Sequence, residues 1–221
     1  MSRNALAAVL LALGVAALAI FYATSRQGPE PVAEMPKVDT EEAPEEEAIA
    51  STDQPGPYLD IVIEGEASGT IRIDLNEVSA PGHTERMVAL AESGSYDDVV
   101  FHRVIEGFMA QTGDVQFGKL GEDMRRAGTG GSAEPDLQAE FSDLPFDRGV
   151  VGMARSQNPD SANSQFFIMF APGHFLNGQY TVVGQVTEGM EVVDAIKRGQ
   201  GQNGAVVGNP DVMTSVTVAA E

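Results

Sequence analysis

The sequence predicts a mainly β fold, either a sandwich or a closed barrel, with two helices covering its open ends. Three observations carry that prediction. About eight short runs of strand character follow one another from residue 58 onward, separated by turn residues. Only two segments carry helix start and stop signals. A hydrophobic content of 43% in 221 residues is enough for a sizeable core, in one domain with appendages or in two small domains.

The elements follow in order. After Arg3, residues 5–22 are apolar without a polar face, which argues against a buried core helix. At about 1.5 Å per residue they would span roughly 27 Å, close to the hydrocarbon thickness of a bilayer. Residues 1–26 therefore read as a signal anchor or as a signal peptide cut after Ala23-Thr24-Ser25. The run is long for a signal peptide, so the anchor is the expectation, with the bulk of the chain exported. Residues 27–57 hold nine acidic residues, one basic residue, six prolines and no aromatic. Such a segment cannot bury enough apolar surface to offset its ordering entropy and reads as a disordered, extended spacer.

The folded domain is expected over residues 58–221. Residues 58–63 and 70–75 are β-branched runs, the second strictly alternating, joined by a hairpin turn. Pro81 opens a helix with Met87, Leu90 and Ala91 on one face and Gly94 after its end. Residues 99–105 and 107–111 read as a strand pair. Residues 115–148, rich in Gly and charge, read as a long loop region with short pieces of structure. Strands are expected at 150–154, 165–170 and 180–186. A second helix is expected over about 189–198, with Glu191 near its start, Lys197 and Arg198 in its last turn and Gly199 as its C-cap. Residues 212–218 form a last strand.

Composition removes several kinds of function. Thirteen basic residues face thirty-three acidic ones, a formal charge of −20, so nucleic acid and anionic membrane surfaces are not expected partners. Without cysteine there is no disulfide, thiol catalysis or cysteine-ligated zinc. His83, His102 and His174 are not at metal-ligand spacing, and His83 and His174 are expected at the surface. No Gly-x-Ser-x-Gly elbow occurs, and Gly128-Thr129-Gly130-Gly131 lacks the Lys of a phosphate loop. No metal or cofactor is expected.

The candidate chemistry lies in Phe101-His102-Arg103-Val104-Ile105-Glu106-Gly107-Phe108-Met109-Ala110-Gln111-Thr112-Gly113-Asp114. Composition alone favours a surface arginine in a salt bridge. The density of Arg, Phe, Met and Gln points further, because Arg and Gln are rarely buried among apolar residues without purpose. Strand alternation puts Arg103 on one face with Phe101 and Ile105, and Phe108 and Met109 on opposite faces.

This stretch resembles the cyclophilin signature F-H-R-x-I-x-x-F-M-x-Q-G-G-D, with Thr112 in place of a glycine, a change expected to alter a turn. Met153-Ala154-Arg155 and Ser164-Gln165-Phe166-Phe167-Ile168 are similar to the family's M-A-N and S-Q-F-F-I segments. Phe175-Leu176-Asn177-Gly178-Gln179-Tyr180 resembles W-L-D-G-x-H, with Phe175 for tryptophan and Tyr180 for histidine, as in bacterial cyclophilins. The resemblance covers about residues 58–221. It implies an eight-stranded antiparallel closed barrel capped by two α-helices and peptidyl-prolyl cis-trans isomerase activity. Arg103 is then the catalytic arginine. Phe108, Met109, Phe167 and Leu176 line a proline pocket, with Phe175 and Tyr180 beside it. Gln111, Ala154, Arg155 and Gln165 contact the substrate, with Arg155 replacing a frequent asparagine and bearing on specificity.

The expected partners are unfolded or flexible proline-containing polypeptides, bound by a monomer that meets the membrane through its N-terminal segment. Two rival readings use the same residues less well. One is a non-enzymatic proline-peptide binding module or chaperone, the other a small-ligand barrel, which the dense Phe and Met content argues against.

Overall fold

A computed structural model describes residues 56–219. The expected anchor over 1–26, and the expected spacer over 27–57 apart from Gly56 and Pro57, lie outside the described residues. Among the described residues, no helix is long and apolar enough to cross a membrane.

Alternation of β-branched and polar residues makes the first two strands, β1 (Tyr58–Glu64) and β2 (Gly69–Leu75), an antiparallel hairpin. Leu59, Ile61 and Ile63 of β1 and Ile71, Ile73 and Leu75 of β2 are buried, while their neighbours are not. Each such side chain contributes about 1.5–3 kcal/mol on burial. Helix α1 (Pro81–Glu92) follows, with Met87, Leu90 and Ala91 turned to the core. Its N-cap, Ala80, has no side chain to offer. The carboxylate of Glu140 caps it instead, accepting from the backbone N–H groups of Gly82 (3.0 Å) and His83 (3.1 Å). His83 is therefore not at the surface as expected: it is buried, with Nδ1 2.5 Å from Glu140.

The remaining strands are β3 (Val99–Val100), β4 (Arg103–Ile105), β5 (Met109–Thr112), β6 (Val150–Met153), β7 (Phe166–Met169), β8 (Val182–Glu188) and β9 (Val212–Ala219). They form one antiparallel sheet in the order β3-β9-β1-β2-β8-β6-β7-β5-β4. This nine-stranded half-barrel replaces the expected closed barrel of eight strands. The difference arises at Phe101 and His102, where the single strand expected over 99–105 breaks in two. Before the break, Val99 and Val100 pair with β9; after it, Arg103–Ile105 pairs with β5. No ladder joins β3 to β4, and the two sheet edges are consecutive in sequence. The outer edge of β4 is covered by residues 199–206, where Val104 N–H donates to the Gly204 carbonyl and Gly199 N–H to that of Val104.

Two more expectations are corrected. The second helix, α2 (Met190–Ala195), is six residues long and ends at Ile196, not Gly199. The buried carboxylate of Asp211 takes the Lys197 N–H (2.6 Å) and pulls the chain out of the helix. Thr112 is not in a turn. It closes β5 and is buried, with its hydroxyl donating to the Val100 carbonyl at 3.0 Å.

The half-barrel has apolar side chains on both faces. Phe166 and Ile168 of β7, Ala110 of β5 and Val151 and Met153 of β6 join the main core with α1, Tyr96 and Phe101. Their strand neighbours Phe167, Met169, Met109 and Val150 join a second cluster with Phe146, Leu176 and Val182. The two-residue period of the strands separates these clusters.

Candidate active site

The second cluster forms the floor of a concave pocket of about 250 Å3. It is reached from the β4–β5 hairpin. Gly107, at φ 67°, turns the chain between the two strands. Phe108 is therefore in the turn and not in β5, and strand alternation does not apply to it. Phe108 and Met109 both line the pocket, contrary to the expectation of opposite faces. Phe101 and Arg103 likewise do not share a face, because the break between β3 and β4 sends Phe101 into the main core.

Arg103 is half-buried on β4, opposite Gln111 of β5. Its Nε donates to the Asn203 carbonyl (3.0 Å) and its Nη1 to Gln111 Oε1 (3.1 Å), with Met109 Sδ 3.8 Å away. Gln111 Nε2 donates to Gln165 Oε1 (3.0 Å), and Gln165 Nε2 to the Gly130 carbonyl (2.8 Å). Arg103 forms no ion pair among the described residues, unlike the surface salt bridge its composition suggests. Partial burial pulls the guanidinium below its ordinary pKa, an effect that nearby Tyr180 opposes.

Phe167 of β7 is the back wall. It stacks on Phe146 (centroids 5.8 Å apart, 21° between planes) and meets Tyr180 edge-on at 5.8 Å. Leu176 and Phe175 come from a 3-10 turn, His174–Leu176. Leu176 is buried, while Phe175 is 66% exposed and leans on Phe108 at 5.5 Å. Ala154 follows β6, and its N–H donates to the carbonyl of Gln165, the residue just before β7, at 2.9 Å. Arg155 lies 4.4 Å from the Tyr180 ring centroid.

Ten of the eleven residues singled out from sequence thus line this pocket: Arg103, Phe108, Met109, Gln111, Ala154, Arg155, Phe167, Phe175, Leu176 and Tyr180. Gln165 lines an adjoining, more polar pocket of about 300 Å3, which shares Gln111, Ala154 and Arg155 with the first.

Sequence reasoning missed three contributors. Phe146 supports Phe167 from a stretch without periodicity. Asp114 is buried and accepts backbone N–H bonds from Gln116, Phe117, Gly128 and Gly130, which shapes the second pocket. A carboxylate just after a glycine, upstream of Gly128-Thr129-Gly130-Gly131, was the available signal. His102, next to Arg103, is buried, and neither ring nitrogen has a hydrogen-bond partner among the described residues. Burial lowers its pKa to about 4, Arg103 acting in the same sense and Asp114 against it. Among the described residues no group of three or more His, Asp or Glu is placed to hold a metal ion.

The arrangement can seat a small apolar ring against Phe108, Met109, Phe167 and Leu176 while offering N–H donors at its edge. Comparison with known proteins agrees in fold and kind. Residues 58–218 match the family model described as cyclophilin type peptidyl-prolyl cis-trans isomerase. Over 156 residues the chain is 58% identical to a probable peptidyl-prolyl cis-trans isomerase of Brucella suis, covering 69% of this chain and 79% of that one. It is 39% identical over 139 residues to a peptidyl-prolyl cis-trans isomerase of Streptomyces antibioticus, covering 59% and 79%. Among solved structures, a cyclophilin type isomerase from Cryptosporidium parvum aligns with a TM-score of 0.62 at 23% identity, covering 74% of this chain and 98% of that one. A cyclophilin from Hirschia baltica aligns at 0.59 and 22%, covering 75% and 74%.

Proposed function

The chain belongs to the cyclophilin-type family of peptidyl-prolyl cis-trans isomerases and is an enzyme of that activity; from this premise we propose that Arg103 drives the isomerisation and that the clients are exported chains. The barrier to be lowered is about 18–20 kcal/mol and comes from resonance between the amide nitrogen and the carbonyl. Unaided, an X-Pro bond turns over in tens to hundreds of seconds. As the bond twists, the proline nitrogen becomes pyramidal and gains a lone pair. A donor aimed at that lone pair binds the twisted state better than the planar one, and each 1.36 kcal/mol of difference is tenfold in rate.

One observation carries this reading: the Arg103 guanidinium stands at the wall of an apolar pocket with no carboxylate partner among the described residues. Gln111 and Asn203 fix its orientation, while Nη2 has no hydrogen bond among the described residues. Partial desolvation strengthens what that N–H can do for a developing lone pair. In this proposal Phe108, Met109, Phe167 and Leu176 hold the proline ring, with Phe175 and Tyr180 at the rim. Gln111, Ala154, Arg155 and Gln165 hold the flanking backbone. The Cryptosporidium parvum relative was also solved in the presence of the dipeptide Ala-Pro, which supports a proline in this pocket. No covalent intermediate is required.

Exported clients are suggested by the apolar run over 5–22, which would hold the domain at the periplasmic face of the inner membrane. N-terminal sequencing of the mature protein tests retention of that run, and cleavage after Ser25 would overturn the anchor. The catalytic assignment is tested by cis/trans exchange rates of a proline peptide with the wild-type chain and Arg103→Ala. A fall in kcat/KM of about 100-fold, or ~3 kcal/mol of transition-state stabilisation, is expected. Wild-type rates in the variant would overturn it.

A further inference from the structure

We propose that Arg155 makes this enzyme selective for proline segments that carry an acidic side chain beside the proline, an inference that rests on the reading of the pocket above. Arg155 is not a free surface cation. Its Nε and Nη2 donate to the Gln179 carbonyl (3.0 and 2.7 Å) and its Nη1 to the Ser156 carbonyl (2.9 Å). The Tyr180 ring lies 4.4 Å from its Cζ. All of these partners are neutral. They fix the guanidinium in place, and it has no carboxylate partner among the described residues. Among the described residues three of its five N–H groups are used, so two remain to meet a ligand.

Its position gives that charge a purpose. Gln111, Ala154 and Arg155 are the residues shared by the apolar pocket and the polar one. A peptide with its proline ring in the first pocket and a neighbouring residue in the second must pass Arg155. Among the described residues, neither lining contains a carboxylate, and the only cations in them are Arg103 and Arg155. This is notable in a chain with thirty-three acidic residues and a net charge of −20, where carboxylates are abundant. That global charge repels acidic peptides only weakly near the site, because salt screens charges beyond about 8 Å at physiological ionic strength. A carboxylate in contact with Arg155 is not screened in that way, so the local cation decides. A Lys or Arg in the same place meets like charge and is disfavoured.

The experiment compares two tetrapeptide series, Ala-Xaa-Pro-Ala and Ala-Ala-Pro-Xaa, with Xaa as Ala, Gln, Glu or Lys. Exchange between cis and trans is measured by NMR with the full chain at low and high salt. Because Arg155 flanks one side of the pocket, one series is expected to favour Glu over Gln by about fivefold in kcat/KM, the range of a solvent-accessible ion pair. Lys should fall below Gln, and the spread should shrink at 0.5 M salt, about three times physiological ionic strength. In Arg155→Gln the Glu:Gln and Lys:Gln ratios should approach one, whatever the variant's activity on the Ala peptide. Arg155→Lys should retain part of the preference. A structural strut to Gln179 would lower all rates together and leave the ratios alone. Equal wild-type rates for Glu, Gln and Lys peptides overturn the proposal, as do unchanged ratios in Arg155→Gln. The Ala peptide separates the two levels of inference: if it is not accelerated, the pocket reading itself fails and the selectivity falls with it.

Discussion

Acidifying the protein from pH 6.5 to pH 4, the interval between the ordinary pKa of His102 and its value in the fold, should destabilise it through that side chain. The imidazole is buried beside Arg103 and packs on Gly128, where even a methyl group would lie 2.9 Å from Cδ2. Burial is the main reason its pKa falls from 6.5 to about 4, and the Arg103 cation adds to it. Asp114 opposes the shift, as do the Val100 carbonyl and Gln165, which approach the ring without making a hydrogen bond to it. Between the two values the unfolded chain binds a proton that the folded chain does not. Stability therefore rises with pH across that interval and is lost as pH falls. A shift of about 2.5 units at 1.36 kcal/mol each gives about 3 kcal/mol by pH 4. The assay is denaturant unfolding of the wild type and of His102→Gln at a series of pH values. Asp60, Asp123 and Asp194, whose carboxylates are held below their ordinary value by Arg72, Arg125 and Arg148, lose their contribution at lower pH and cancel in the difference. The wild type should lose its margin over the variant steadily from pH 6.5 to pH 4. A constant difference, or an NMR titration of the His102 ring near 6.5, refutes the reasoning.

Three further outcomes are expected. Gly152→Ala places a methyl group 2.5 Å from Phe167 Cζ and 2.6 Å from Phe146 Cε1, so the stacked rings must part. It should cost about 1–3 kcal/mol by thermal melting and raise KM, because Phe167 lines the pocket. Asp114→Ala orphans four backbone N–H groups, including those of Gly128 and Gly130. About 3 kcal/mol should be lost, with faster hydrogen exchange at residues 128–130. Phe175→Ala, at a position 66% exposed, should raise KM while moving stability by less than about 0.5 kcal/mol.

The pocket was more legible than the barrel. Arg103, Phe108, Met109 and Gln111 lie within nine residues of each other on one hairpin, so their order in the chain nearly fixes their order in space. The break at Phe101-His102 had no such signal. Both residues suit a strand, and what separates β3 from β4 is a change of partner, from β9 to β5, over a hundred residues apart in sequence. His83 was misplaced for a similar reason: Glu140, which buries and caps it, lies fifty-seven residues away. The sequence extends the second helix too far because Lys197 and Arg198 satisfy the rules for a last turn, while the Asp211 carboxylate that ends it lies just before β9. Strands β6 and β7 are buried on both faces, so they read as plain apolar runs and hide which side chains face the pocket.

That division of side chains between two faces has an evolutionary corollary. Phe167 and Met169 rest on an oily island that touches little of what α1 and β1 require. Drift at Val150, Met169 or Val182 can reshape the seat for a new guest while the larger interior keeps the scaffold standing. Such a molecule can diversify its clientele one methyl group at a time.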